Sequence, residues 1–556
     1  MRSPKMKSIT LSNKHYTVLL FVIGLILSFS FFSNKLMPGH DIVFHISRII
    51  SISESLKEGI FPVRMYVDNV QFWGNPTGIF YPSLFLYIPS LLHLMGLPIE
   101  ICYNFLIILI VFLALFSSWY GFTLLIKSRC AGFFSTILYV SSGYYLANAF
   151  IRSALGELLA LSFMPLAIAC VIEITAKVKT TVKVYVLGIL AVSAIIESHV
   201  LSSVFLFLFI FVLLLFTFIQ KKCVLYFLKR TFKFLCIIFF LNASFIIPFL
   251  LYFIKIPVRI AEPFKYFAFS SLSGGELLSF LVFWNFWLFT SLYCFISYQI
   301  HKHSINNISM QNYSFKTLNF CLALGLFFFL FSSSYPWHFF PNLIKYFQII
   351  QFPWRTLAIS TLLLSICGGI GIELLIKQKK IPKIKIIALS LLICVTHTIA
   401  VQHLSPNPGW VVKPKITWSR TPELSDFDYL YRDTDFYELI QLQNHYISNA
   451  TIENFKKNLT YVQFSYRSDS DTEITIPLIN YPDYIAIDQY GQKVQIKEDK
   501  NHLIVIPLIK GSGSITLHYV GMPIFKLADL LSLISVLFFC SYVIRVHQRN
   551  LWKQIS

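Results

Sequence analysis

The sequence predicts a polytopic α-helical membrane protein with a mainly β, sandwich-like domain near its C-terminus and a final transmembrane helix after it. Three observations predict this. Of the 556 residues, 56% are hydrophobic and 17% aromatic, and the mean hydropathy of +0.66 leaves more apolar surface than a water-soluble core can hide. Apolar stretches of roughly 17 to 25 residues recur, each long enough to cross a hydrocarbon core as a helix that satisfies its own backbone. One block, 403 to 522, is instead rich in Asp, Glu, Asn, Ser and Gly.

About twelve spans are predicted, near residues 16–33, 99–126, 131–148, 155–173, 183–198, 200–219, 233–253, 276–298, 317–333, 356–376, 384–401 and 524–544. The first reads as retained, because no small-residue cleavage site precedes Asn34. The piece from 80 to 95, broken by Pro82 and Pro89, reads as a re-entrant or juxtamembrane element. Residues 1–402 thus form a transmembrane domain whose first extracytoplasmic loop is 34–98, residues 403–522 a soluble domain, and 523–556 the last helix with its tail.

The net charge of +20, from 46 Lys and Arg against 26 Asp and Glu, is distributed as an orientation signal. With Arg2, Lys5, Lys7 and Lys14 in the cytoplasm, the basic clusters fall in cytoplasmic loops. These are Lys127/Arg129, Lys177/Lys179/Lys183, Lys221/Lys222/Lys229/Arg230/Lys233, Lys377/Lys379/Lys380/Lys383/Lys385 and Arg545/Arg549/Lys553. Both termini are then cytoplasmic, and 403–522 is extracytoplasmic. Short clusters punctuated by spans do not make a nucleic-acid surface. None of the 10 cysteines lies between 403 and 522, which excludes a disulfide framework or a cysteine zinc site there. Within that block, Tyr461–Tyr466, Glu473–Ile476, Lys493–Ile496, His502–Ile506 and Ser514–His518 alternate with period two between turn residues, predicting a small antiparallel β-sandwich. The stretch Ser425–Ile447 is mixed, with room for helix.

In the first loop, Asp41, His45 and Arg48 stand at i, i+4 and i+7, on one face of a helix over 41–58 beside an apolar stripe of Ile42, Ile46, Ile49 and Leu56. That pattern predicts an amphipathic helix on the membrane surface presenting a carboxylate, an imidazole and a guanidinium. The carboxylate is suited to general-base work and the guanidinium to a phosphate. The alternative is that Asp41 caps the helix and the other two are solvated. Further polar residues fall at span ends on the same side: Arg152 and Glu157, then Glu197 and His199, then Gln348, Gln351 and Arg355. Ionisable groups at such depth often mark a substrate path, although Arg355 and Trp354 also suit an interfacial anchor. No HExxH motif and no His cluster points to a metal site, and no cofactor motif is present.

The run Pro38-Gly-His-Asp-Ile-Val-Phe-His-Ile-Ser-Arg-Ile49, then Gly59-Ile-Phe-Pro-Val-Arg64, Gly74-Asn-Pro76 and Phe80-Tyr-Pro82, resembles the opening of bacterial YfhO-like membrane proteins. Arg152-Ser-Ala-Leu-Gly-Glu157 with Pro165, the His199 turn, Gln351-Phe-Pro-Trp-Arg355 and Ile476-Pro-Leu-Ile-Asn-Tyr-Pro482 leading to Gly521 extend the resemblance in order along nearly the whole chain. That family is similar in plan to GT-C glycosyltransferases, which take a sugar from a polyprenyl-phosphate carrier. The resemblance implies a GT-C-like fold in the bacterial cytoplasmic (inner) membrane. It also implies a polyprenyl-phosphate sugar donor, an envelope glycan acceptor and membrane lipid as partners, with Asp41 as the catalytic carboxylate. Arg48, Arg152 or Arg355 would then hold the lipid phosphate, and His45, Glu157, His199 and Gln351 would complete the substrate-binding set. The DxD or Glu-Asp pair of some GT-C enzymes is absent. A transporter or flippase of a lipid-linked or polymeric envelope glycan is the rival reading; it predicts ionisable residues at mid-membrane depth, which spans such as 200–219 and 317–333 lack.

Overall fold

The structure, a computed structural model, describes residues 12–66, 73–176, 180–220, 224–261, 315–379, 382–404, 428–435, 438–439, 446–458 and 461–555. The span expected at 276–298, the N-terminal basic residues up to Lys7 and the start of the soluble block, 405–427, lie outside them. The helices are α1 (Asn13–Leu27), α2 (Ile42–Lys57), α3 (Thr77–Phe80), α4 (Tyr87–Leu94), α5 (Ile99–Ile126), α6 (Arg129–Val140), α7 (Gly143–Phe150), α8 (Leu155–Ala176), α9 (Val182–Ile196), α10 (Val200–Gln220), α11 (Val224–Leu241) and α12 (Ala243–Lys255). The long helices after residue 314 are α13 (Phe315–Phe331), α14 (Leu357–Lys379), α15 (Lys383–Leu404) and α16 (Pro523–Ile555), with two short helical turns, Tyr335–Phe339 and Ile344–Phe347, between α13 and α14.

Among the described residues, four stretches are long and apolar enough to cross a membrane: Ile99–Ile126, Leu155–Thr175, Pro353–Leu374 and Pro523–Val546; the bent pair α11 and α12 makes up to five. Shorter apolar helices account for most of the remaining expected positions, so the expectation of about twelve full spans is only partly matched. Two expected spans are broken. The 131–148 stretch stops at Val140, where Ser142 caps the next helix through Tyr145 N–H. The 233–253 stretch turns by 84° between α11 and α12. At that break Asn242 donates its side-chain amide to Ile238 O at 2.6 Å and to Ser193 Oγ at 2.9 Å, satisfying polar groups that a helix interruption would otherwise strand in an apolar setting.

Helix α5 packs on α6 and α8, α14 on α6 and α13, and α8 on α9. The α5–α8 approach needs Gly121, where a Cβ would stand 2.6 Å from Leu166 N and the Pro165 carbonyl carbon. Helix α16 behaves differently: only 11% of its span is buried, and Leu533, Leu537 and Phe538 project from it, as a lipid-facing surface should.

Residues 447–519 form two antiparallel sheets. One orders β1 (Ile447–Ser448), β4 (Thr472–Ile479), β8 (Leu503–Leu508) and β7 (Lys497–Glu498) as β1-β4-β8-β7. The other orders β2 (Thr451–Asn458), β3 (Tyr461–Ser468), β9 (Gly511–Tyr519), β5 (Tyr484–Asp488) and β6 (Lys493–Val494) as β2-β3-β9-β5-β6. The period-two residues Val462, Phe464, Ile474, Ile476, Ile504, Ile506, Ile515 and Leu517 point into a shared core. The expected strand at 493–496 is realised only as the two-residue β6, while β1, β2, β5 and β7 lie outside the expected strands. This domain is not a detached appendage. Its core continues into the first loop through Phe44, Met65, Trp73, Ile79 and Phe80, and into α12 through Tyr252 and Ile256. Phe80 stacks on Tyr429 at 5.8 Å, and Ile479 N–H donates to Trp73 O at 3.1 Å.

Candidate active site

The first loop is held against the start of α8 by backbone. His40 N–H donates to Ile151 O at 3.1 Å and Asp41 N–H to Arg152 O at 2.8 Å. The approach is close enough that a Cβ on Gly39 would overlap Ser153 Oγ, and Ser153 itself takes the left-handed conformation, φ 53°. Residues 41 and 152, far apart in sequence, are therefore fixed side by side.

Asp41 sits at the N-cap of α2, yet its side chain makes no capping hydrogen bond, so the capping alternative is not the one the geometry adopts. No described residue stands within hydrogen-bond or ion-pair distance of its carboxylate. The charges that act on it are those of Arg152, His40, Arg355 and Glu157. Burial raises its pKa above the ordinary carboxylate range, opposed by Arg152, His40 and Arg355.

Glu157, in the first turn of α8 and only 4% exposed, is the hub. The Tyr144 hydroxyl donates to its Oε1. Arg152 Nη1 donates to its Oε2 at 2.9 Å, and Arg355 Nε stands 3.8 Å from the same oxygen. Arg152 also donates to Asn148 Oδ1, and its guanidinium lies 4.1 Å over the Trp354 ring. Arg355 Nη1 donates to Ile350 O at 3.1 Å and to Gln351 Oε1 at 2.6 Å. Gln351 holds a left-handed φ of 62°, a conformation costing of order 1–3 kcal/mol in a non-glycine residue. Trp354, stacked on Phe352 at 5.0 Å, therefore walls two arginines that share one carboxylate. Arg355 Nε finds no hydrogen bond, and no described residue accepts from Nη2 of either arginine.

His199 opens α10. Its Nδ1 faces Ser202 Oγ at 2.9 Å and accepts from Ser202 N–H at 3.4 Å, which places the ring proton on Nε2. Burial lowers its pKa to about 4, so the imidazole is neutral. Tyr81 bridges His199 and His45, with ring centroids 6.1 Å from each. Its hydroxyl lies where a Cβ on Gly156 would be, and that Cβ would also come 2.6 Å from Ser198 O. The small residue in Leu155-Gly156-Glu157 lets three segments meet.

The surface-helix expectation for α2 is corrected. His45 and Arg48 are each 1% exposed, because α4, α5 and the 81–83 turn cover the face that was to present them. Arg48 Nη2 donates to Pro82 O at 2.7 Å, Ser83 Oγ at 3.1 Å and Tyr81 O at 3.3 Å, and the guanidinium lies 4.4 Å over the Tyr81 ring. His45 Nε2 accepts at 3.3 Å from Leu155 N–H, a donor that also reaches Ser153 O at 2.9 Å, so the ring is tied to the start of α8. Burial, then Arg48, pushes its pKa well below the usual histidine value. Thus Asp41, Arg152, Glu157, Gln351 and Arg355 cluster, with the neutral His199 lying in the field of Glu157, Arg355 and Arg152, while His45 and Arg48 are spent on structure. Sequence reasoning missed Tyr144, Asn148 and Tyr81 as neighbours. Tyr144 and Asn148 stand at i and i+4 and continue to Arg152 at i+8, a helical stripe that was legible. Among the described residues no group of three or more His, Cys, Asp or Glu gathers as a metal site.

No protein-family model matches the chain, and no curated protein matches it, so the YfhO-like resemblance rests on the motifs quoted above. Among solved structures, the chain is similar to the arabinofuranosyltransferase AftD from Mycobacteria, seen by cryo-EM, at 15% identity and TM-score 0.44 over 71% of this chain and 27% of that one. It is also similar to ArnT from Cupriavidus metallidurans, crystallised bound to undecaprenyl phosphate, at 11% identity and TM-score 0.34 over 89% of this chain and 98% of that one. This chain spans little more than a quarter of the AftD chain's length. Both likenesses are loose.

Proposed function

We propose that this protein is a membrane glycosyltransferase that moves a sugar from a polyprenyl-phosphate-linked donor to a cell-envelope acceptor on the extracytoplasmic side. One observation carries the reading: a largely enclosed carboxylate, Asp41, which has no partner among the described residues, lies beside two arginines that share a single buried counter-charge, Glu157. That combination joins a base with a binder of phosphate. The acceptor hydroxyl gives its proton to Asp41 as its oxygen bonds to the anomeric carbon of the sugar. The bond from that carbon to the phosphate oxygen breaks, and the electron pair stays on the phosphate. The raised pKa of Asp41 favours this role, because a base is most effective when its pKa approaches the working pH. The growing charge on the phosphate is met by the Nη2 donors of Arg152 and Arg355 and the Nε2–H of His199, groups already oriented before the reaction. Arg48 and His45 keep the loop in place.

Asp41→Asn is the decisive variant, since Asn matches the shape but takes no proton. With purified protein in lipid and a defined polyprenyl-phosphate sugar, release of the free lipid phosphate should fall by about 100-fold or more, the usual contribution of a positioned base, while the variant remains monodisperse. Release at the wild-type rate would remove Asp41 from the chemistry. Movement of the intact lipid-linked sugar across the bilayer, with no release by the wild type, would decide for a flippase.

A further inference from the structure

The two acids of the cluster are not equivalent. Glu157 has both oxygens engaged, Oε1 by Tyr144 and Oε2 by Arg152 and Arg355, so protonating it would break three contacts. Among the described residues Asp41 has none to break; its backbone N–H bond to Arg152 O ties the two residues together, and the Arg152 charge acts on its carboxylate. The titratable or charged groups facing Asp41 are His40 on its own loop, Arg152 and Glu157 at the start of α8, Arg355 before α14, and the phenols of Tyr81 and Tyr103. Two arginines and Glu157 leave one positive charge, and ionised Asp41 cancels it.

We propose that Asp41 and the lipid phosphate share one proton-coupled anion site, in which the phosphomonoester product is retained while Asp41 carries the acceptor's proton and is expelled when that proton leaves. This rests on the glycosyltransferase reading above. The charges balance: before transfer the site holds an Asp41 carboxylate and a phosphodiester monoanion, and after it a neutral Asp41 and a phosphomonoester dianion. The total is unchanged, so an enclosed site of low dielectric meets no net charging during the chemical step. Loss of the Asp41 proton afterwards sets a carboxylate against a dianion and drives release. Conversely, binding the dianion from solution requires Asp41 to take up a proton.

The test is binding of a short-chain polyprenyl phosphate to the full chain in lipid nanodiscs between about pH 7.5 and 9, where a phosphomonoester, with a second pKa of about 6, is a dianion. Calorimetry in buffers of different ionisation enthalpy counts the protons. The wild type should take up about one proton per lipid bound and lose about tenfold in affinity per pH unit. Asp41→Asn, fixed in the neutral form, should show no uptake, a flat profile, and at least about tenfold tighter binding at the alkaline end. Equal slopes and equal uptake in both proteins would overturn the coupling and leave the lipid-phosphate reading intact. Failure of both proteins to bind would overturn that reading and the coupling together.

Discussion

Two ionic networks in this molecule are mirror images in charge and opposites in setting. Around Glu157, one carboxylate gathers two arginines in the helical region, with side-chain exposures of 5% for Glu157, 15% for Arg152 and 10% for Arg355. Around His502, in the turn between β7 and β8, one imidazole gathers two carboxylates: Nε2 lies 2.9 Å from Asp433 and Nδ1 3.0 Å from Glu498, with those carboxylates 72% and 48% exposed. The shortest distances, 2.9 Å in each, are alike, and the energies are not. Unit charges at 4 Å interact by about 1 kcal/mol in water and about 4 kcal/mol at an effective dielectric of about 20. The second network fastens a strand; the first is tight enough to hold two guanidiniums in fixed orientations beside an acid that has no partner among the described residues.

The comparison breaks most sharply at Glu157→Gln. Removing one partner of a buried network strands the others, at about 3–5 kcal/mol. A marked fall in the melting temperature in detergent and loss of measurable transfer are expected, and an unchanged melting curve would mean that the arginines are held by something else. Arg355→Lys is a smaller lesion. It keeps the charge but loses the planar fork that reaches Gln351 and leaves Nη2 free, so turnover should drop about tenfold through loss of one charge-assisted hydrogen bond, with little change in melting; a wild-type rate would assign Arg355 to structure alone.

The smallest effect belongs to His502. Burial by itself would lower its pKa, but hydrogen bonds to Glu498 and Asp433 outweigh it and raise the folded value above the ordinary 6.5. A raised folded pKa stabilises fully below the unfolded value of about 6.5 and loses that contribution as pH climbs through the folded one. His502→Gln should therefore cost under about 1 kcal/mol, visible below pH 6.5 and vanishing in mildly alkaline buffer. A cost independent of pH would trace instead to the His502 ring stacked 4.2 Å from Tyr431.

Much of this architecture is legible in the sequence. Apolar length alone located α5, α8, α14 and α16, since a self-satisfied helix is the only economical way to pass such residues through lipid. Period two located most of the strands, because a sheet with one dry face writes its burial into alternation. The strand β2, Thr451–Asn458, was harder to read: Glu453, Lys456 and Lys457 interrupt its alternation, and the pairing with β3 shifts register between Glu453 and Lys456.

Sequence by itself determined which residues carry charge at the span ends, and spacing placed Asp41, His45 and Arg48 on one helical face. Only the tertiary structure decided their roles. Spacing along a helix tells which side chains share a face, not what covers it. Here the 81–83 turn covers Arg48 and the start of α8 covers His45, while the loop-to-loop backbone bonds of residues 40 and 41 leave the Asp41 carboxylate beside two arginines from distant segments. Pairings across more than a hundred residues of chain are set by packing, and packing is what keeps one acidic side chain without a partner among the described residues.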